Sequence, residues 1–137
     1  HGTALSHLVH TWIKVRNNDP RAWDMLQTAL RADLNDIVGT TKEGLHLGLM
    51  SATADLFQRG FIGARISDGI LNLDPVYQSK IKQLKCKLRF LGNWLSIDLY
   101  EDRISINAES SWSEPVTVCV RGECRKLSPG STVAFKL

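Results

Sequence analysis

Near residue 62 the spacing of apolar residues changes from that of helices to that of strands, and this limits the fold more than any other feature. Upstream, apolar residues recur three and four apart. Downstream, short alternating runs are separated by turn signals. With 137 residues there is room for one domain or slightly more. The switch predicts an α+β chain, helical over residues 1–62 and a small β domain over 63–137. No internal repeat or low-complexity tract interrupts either part.

Three helices are readable. The first, about residues 4–16 ("ALSHLVHTWIKVR"), carries Leu5, Leu8, Val9, Trp12, Ile13 and Val15 around most of its circumference. The second is announced by Asp19 as N-cap and Pro20 at the first helical position. It sets Ala22, Trp23, Leu26, Ala29 and Leu30 on one side and polar residues on the other. The third, about 41–59, is apolar nearly all round and repeats Gly44, Gly48 and Ala52 at spacing four, a smooth strip for close helix packing. A helix apolar on every side is one buried on every side, and a one-sided helix lies on a surface. Buried, surface, buried is the order of an inner and outer ring. Three helices cannot close such a ring, and alone they would expose the apolar sides of the inner pair. The helical part therefore reads as the last helices of a larger helical barrel.

The second part reads as antiparallel β structure, a small sandwich of about eight strands. "ARISDGILNL" is a hairpin around Asp68-Gly69. "KCKLRF" sets Cys86, Leu88 and Phe90 on one face and Lys85, Lys87 and Arg89 on the other. A turn is expected at Gly92-Asn93, then "WLSIDLY" with Leu95, Ile97 and Leu99 inward. "RISINA" follows Glu101-Asp102, and "TVAFKL" closes the chain with Val133, Phe135 and Leu137 inward.

The charge balance is +3, from 17 basic and 14 acidic residues, too small to argue for nucleic acid or an anionic membrane as partner. The densest basic stretch, "KIKQLKCKLR" at 80–89, alternates with apolar residues and reads as a solvated strand face. No apolar run approaches the roughly 20 residues of a membrane span, and no signal peptide is visible. A cytoplasmic location is therefore expected. The chain opens at His1 without a methionine, which reads as a fragment or processed product.

Three cysteines lack metal-ligand spacing, and no metal is expected. In "VTVCVRGECRKL" a two-residue turn at Arg121-Gly122 puts Cys119 opposite Cys124, where a disulfide can form. The odd cysteine count and the lack of an export signal favour reduced thiols.

The stretch "GTTKEGLHLG" at 39–48 carries the chemistry. Thr40 and Glu43 have capping-box spacing, which accounts for both residues. It does less for Thr41, Lys42 and His46. A helix start preceded by Gly39 leaves backbone N–H groups free at the positive end of the helix dipole, which suits an anion. Thr41 adds a hydroxyl, Lys42 a charge, and His46 an imidazole on a helix with little else polar. "HGTALS" precedes the other inner helix, so His1, Thr3 and Ser6 are expected to border the same mouth.

At these residues the chain resembles glycoside hydrolase family 65, the maltose, trehalose and kojibiose phosphorylase group. The segments that carry the likeness are "HGTALSHLVHTW", "DPRAWDMLQTALRADLNDI", "GTTKEGLHLGLMSATADLFQRGF", "DGILNLDP" and "LRFLGNWLSIDL". The resemblance implies the end of an (α/α)6 barrel followed by a C-terminal β-sandwich. It also implies an inverting phosphorylase: phosphate attacks the anomeric carbon of an α-glucosidic disaccharide, giving β-glucose 1-phosphate and a free sugar. Hydrolytic inversion needs a carboxylate base to activate water. Phosphate is already anionic, so an anion cradle takes that place. By resemblance the cradle comprises Gly39, Thr40, Thr41 and His46, with His1 and Thr3 beside it. Phosphate enters as co-substrate, sugar is the other ligand, and no cofactor is expected. The family's general acid and its sugar-holding lysine-glutamine segment lie upstream and are absent from these residues. Glu43 suits the capping role rather than the acid. The chain by itself is thus expected to be inactive, and to contact either further copies of itself or the missing barrel portion. Two alternatives accompany this reading: part of a hydrolase of the trehalose-cleaving kind, or a non-catalytic oligomerising or binding module.

Overall fold

The structure, a computed structural model, describes residues 4–31, 35–36 and 47–137, with only the backbone described at Ala4 and Leu5. It divides into two compact units, His1–Phe61 and Ile62–Leu137.

In the first unit, α1 spans Ala4–Arg16. It stops at Asn18, which adopts a left-handed φ of 54°. The amide of Asn18 then donates to the Val15 carbonyl (3.0 Å) and that of Asp19 to the Lys14 carbonyl (2.9 Å). This pair of bonds satisfies carbonyls that the helix end leaves free, and Pro20 just beyond prevents continuation. Asp19 also opens the next element. Its Oδ1 accepts from the Arg21 amide at 2.9 Å, the expected cap. The regular helix α2 then runs Ala22–Arg31 and buries Ala22, Leu26 and Ala29. Leu30, expected on that apolar side, is instead exposed, because it projects beyond the buried stripe.

The third helix is described from Leu47, and the expected first turn at 41–46, with Gly44, lies outside the described residues. α3 is regular over Leu47–Asp55 and widens into a π-helical stretch at Leu56–Phe61 rather than continuing regularly to 59. A Cβ on Gly60 would lie 2.7 Å from Leu56 Cδ1, one turn earlier in the same stretch, and 3.4 Å from Trp12 of α1, so the glycine leaves room for the Leu56 side chain beside α1. There the Arg16 guanidinium donates to the Gly60 carbonyl at 3.2 Å. The wide turn stacks Phe57 and Phe61, ring centres 5.6 Å apart.

The inner helices are each covered on one side only. Leu8, Thr11 and Val15 of α1 are buried, while Val9, Trp12 and Ile13 are exposed. Thr11 is satisfied by donating to the His7 carbonyl at 2.7 Å. On α3, Leu49 is buried and Leu47 and Met50 are exposed. Among the described residues nothing lies within 4 Å of a Cβ built on Gly48, so this part of the small-residue strip has no described neighbour. The apolar exposure expected of an unclosed ring is therefore present.

The second unit is a sandwich of two four-stranded sheets. Its strands are β1 (Arg65–Ser67), β2 (Ile70–Leu73), β3 (Leu84–Phe90), β4 (Asn93–Leu99), β5 (Arg103–Ala108), β6 (Val116–Val120), β7 (Glu123–Leu127) and β8 (Thr132–Lys136). One sheet has the order β1-β2-β6-β7 and the other β3-β4-β5-β8. Their inner faces share one core, with Leu71 and Val118 from the first sheet and Leu95, Ile97, Ile104, Ile106 and Phe135 from the second. Inward and outward residues alternate along β3, β4 and β5 as the sequence pattern requires.

Three two-residue turns, Asp68-Gly69, Leu91-Gly92 and Arg121-Gly122, have positive φ at both positions, the backbone that matches strand twist. The second of these corrects the expected Gly92-Asn93 turn by one residue. Asn93 is fully buried and bridges the Leu91 and Glu114 carbonyls with its amide, so it belongs to β4. Not all pairing is antiparallel either: β2 and β6 pair in parallel, with the other sheet's first three strands between them in sequence. Gly63 closes the base of the first hairpin. Its φ is +69°, and a Cβ there would lie 2.1 Å from the Asp74 carbonyl oxygen.

Cys119 and Cys124 form a disulfide with Cα atoms 4.0 Å apart, which corrects the expectation of reduced thiols. The Arg121-Gly122 turn fixes Val120 opposite Glu123 and Cys119 opposite Cys124. That register brings the sulfurs together. Local geometry outweighs the inference from the cysteine count.

Candidate functional site

The residues expected to cradle an anion, His1, Thr3, Gly39, Thr40, Thr41 and His46, lie outside the described residues, as do Lys42 and Glu43. What is described is the pair of helices that follow them. α1 begins directly after Thr3, and α3 is described directly after His46.

These two helices run in the same direction. Arg16, the last residue of α1, bonds to Gly60, and Trp12, one turn earlier, packs beside the same glycine and Leu56. Leu8 and Val9, a turn earlier again, share a groove with Ala52 and Asp55. The contact points advance together along both elements.

The groove between them has a volume of about 280 Å³ and is lined by Leu8, Val9, Trp12, Ala52 and Leu56, with Asp55 and Arg59 as its polar members. Arg59 and Asp55, one helical turn apart, form a two-pronged ion pair with Nη2–Oδ2 at 2.7 Å. Hydrogen bonding to Asp55 raises the Arg59 pKa further, so the guanidinium stays charged and committed to that carboxylate. The spacing of this pair is visible in the sequence, but its place beside an apolar groove depends on which side of α3 faces α1.

A second charged cluster joins α1 to α2. Asp19 accepts from Arg21 Nη2 at 2.7 Å and from Lys14 Nζ at 2.9 Å. The Arg21 hydrogen bond, then the Lys14 one, hold the Asp19 carboxyl well below the usual carboxylate range. Among the described residues no three His, Cys, Asp or Glu side chains are grouped so as to hold a metal ion. No described helix is long and apolar enough to cross a membrane.

On the second unit, the lysines of the basic stretch are partly compensated. Lys85 lies 3.5 Å from Asp98, and Lys87 pairs with Glu109 at 2.5 Å. The expected solvated strand face is what β3 presents.

Comparison with known proteins places both units. Residues 1–55 match the glycosyl hydrolase family 65 central catalytic domain, and residues 64–124 match the glycosyl hydrolase family 65 C-terminal domain. A Mycobacterium tuberculosis protein named as an uncharacterized glycosyl hydrolase is 33% identical over 96% of the chain. Kojibiose phosphorylase of Halothermothrix orenii is 25% identical over 97% of the chain, and trehalose 6-phosphate phosphorylase of Lactococcus lactis 31% over 80%. The chain spans 10%, 18% and 15% of the lengths of these three relatives. A solved structure named "Putative kojibiose phosphorylase from human microbiome" superposes with a TM-score of 0.86 at 25% identity, covering 100% of this chain and 20% of that one.

Proposed function

The chain belongs to glycosyl hydrolase family 65, and from that premise we propose that it is the C-terminal portion of an inverting disaccharide phosphorylase. In the parent enzyme, phosphate attacks the anomeric carbon of an α-glucosidic disaccharide from the face opposite the departing sugar. The C1–oxygen bond to that sugar breaks, a C1–oxygen bond to phosphate forms, and an upstream acid protonates the leaving oxygen. The products are β-glucose 1-phosphate and a free sugar.

This portion contributes the nucleophile's site. Gly39 lets the backbone approach, and the amides at the start of the third helix meet the phosphate. Thr40 and Thr41 add hydroxyl donors, His46 adds an imidazole, and His1 and Thr3 flank the anion. Inorganic phosphate is a co-substrate, and no other cofactor takes part. The observation that carries this reading is that "GTTKEGLHLG" falls within the stretch matching the catalytic domain, in a chain whose relatives include three named phosphorylases. The common direction of α1 and α3 supports it, since helices aligned this way have their starts at one end. Lacking the acid, the 137-residue chain alone turns over no glycoside. The parent works in the cytoplasm, which supplies phosphate, and there thiol reductants oppose the Cys119–Cys124 bond.

Hydrolysis is the second reading, favoured by the glycosyl hydrolase name of the 33% identical relative. Assay of the parent enzyme on α-linked glucose disaccharides with and without phosphate separates the two. Phosphorolysis requires that cleavage stop in phosphate-free buffer. Thr41→Ala and His46→Ala should each raise the KM for phosphate about tenfold or more, with less change in the KM for sugar. Full turnover without phosphate would overturn the proposal.

A further inference from the structure

On the outer face of the β1-β2-β6-β7 sheet, one row of residues crosses every strand. Arg65 of β1 pairs with Asn72 of β2, Asn72 with Cys119 of β6, and Cys119 with Cys124 of β7. Val118 and Val120 point into the core, so the disulfide between them in sequence and its partner residue lies on the side away from it. The two sulfurs differ in access. Cys119 is 2% exposed on an interior strand, whereas Cys124 is exposed on β7, the last strand of its sheet. The bond joining them runs across the strands. A nucleophile that displaces one sulfur approaches in line, from beyond the sulfur it attacks. For Cys124 that line enters over β7, past which the sheet has no further strand. For Cys119 it enters over β2, where half-buried Asn72 stands with its amide held on Ser67 Oγ at 3.1 Å.

Charge favours the same entry. Lys126 stands on the same face as Cys124, next along β7 and diagonal to Cys119. It is exposed and forms no ion pair among the described residues. Glu123 faces the other way, with Val120, and accepts from Arg125 Nε at 2.9 Å. The hairpin also holds its register without the bond. At the Arg121-Gly122 turn the Arg121 amide donates to the Leu73 carbonyl and its guanidinium to the Pro75 carbonyl, each at 3.0 Å. Breaking the bond therefore leaves the sulfurs opposite each other, placed to rejoin.

We propose that Cys119–Cys124 is a reversible thiol–disulfide exchange site for a small anionic thiol, entered at Cys124. The thiolate attacks Cys124 Sγ and forms a mixed disulfide there. The Cys119–Cys124 bond breaks, its electron pair passes to Cys119 Sγ, and that sulfur takes a proton from water. A second thiolate attacking the outer sulfur of the mixed disulfide releases the small symmetrical disulfide and leaves Cys124 reduced. Cys119 attacking Cys124 instead expels the small thiol and restores the protein bond. Lys126 attracts the anionic reagent and stabilises the thiolates that form.

None of these residues belongs to the proposed phosphate site, and the test involves neither phosphate nor turnover. The oxidised chain is incubated with reduced glutathione, quenched with acid at short times and mapped by peptide mass spectrometry. Because Cys119 expels the adduct, Cys119→Ala and Cys124→Ala are treated in parallel with oxidised glutathione. Cys124 in the first variant should be modified about tenfold faster than Cys119 in the second. Lys126→Gln should slow reduction of the wild-type bond by glutathione about threefold at low salt, with little change for uncharged 2-mercaptoethanol. The strand signal in circular dichroism should persist through reduction, and oxidised glutathione should re-form the same bond. Faster modification of Cys119, reduction only in urea, or loss of the strand signal on reduction would overturn the proposal. If either alanine variant fails to fold, the early adduct on the wild-type chain decides: on Cys124 it supports the proposal, on Cys119 it overturns it.

Discussion

At the scale of single residues, the Cys119–Cys124 pair shows how a turn dictates chemistry. Arg121 and Gly122 hold φ values of 48° and 88°, and the strand register then places the sulfurs together. The disulfide closes a short loop that the hairpin already closes, so its loss should cost about 2 kcal/mol or less. Thiol titration of the native oxidised chain should find one group, Cys86, reacting slowly because burial raises its pKa. After reduction three thiols should react, and the urea midpoint should fall slightly. Three fast-reacting thiols before reduction would contradict the bond. The geometry of this pair was legible in the sequence, since Arg-Gly between alternating runs fixes the register. Its oxidation state was not, because composition reports the compartment only indirectly.

At the scale of elements, Asp19 ends α1 and begins α2, so the helix–helix corner depends on its charge. Its carboxyl titrates well below the usual range because of Arg21 and then Lys14. A carboxylate whose folded pKa is depressed stabilises the fold above its unfolded pKa, near 4, and loses that contribution as pH falls through the folded value. Thermal unfolding of the helical signal should therefore show a decline from pH 5 downward that is shallower in Asp19→Asn, which retains a capping oxygen. Equal slopes in the two proteins would refute this. Asp-Pro announced the corner in the sequence, as Asp68-Gly69 announced the first hairpin. The Leu91-Gly92 turn was missed by one residue because an asparagine beside glycine has the composition of a turn. The buried amide bridge from Asn93 that decides otherwise depends on Glu114, distant in sequence. The parallel β2–β6 pair was likewise not legible, since alternation reveals a strand but not its neighbour.

At the scale of the whole molecule, the helical part presents Val9, Trp12 and Ile13 on α1 and Leu47 and Met50 on α3 to solvent. Such apolar area favours association. Sedimentation of the isolated chain should show concentration-dependent oligomers that bind a hydrophobic dye, and Ile13→Lys should shift the population toward monomer. A monomer that binds no dye would contradict this account. The buried-surface-buried order of the three helices made this exposure legible beforehand, whereas the anion cradle depends on residues that the structure does not describe. The sandwich has a different constraint. All strands of the β1-β2-β6-β7 sheet exist once residue 127 has been made, but β5 receives its last neighbour from residues 132–136. One sheet is thus complete at an earlier point in the chain than the other. A chain cleaved before residue 132 would leave β5 with an open hydrogen-bonding edge, the kind of template on which chains aggregate.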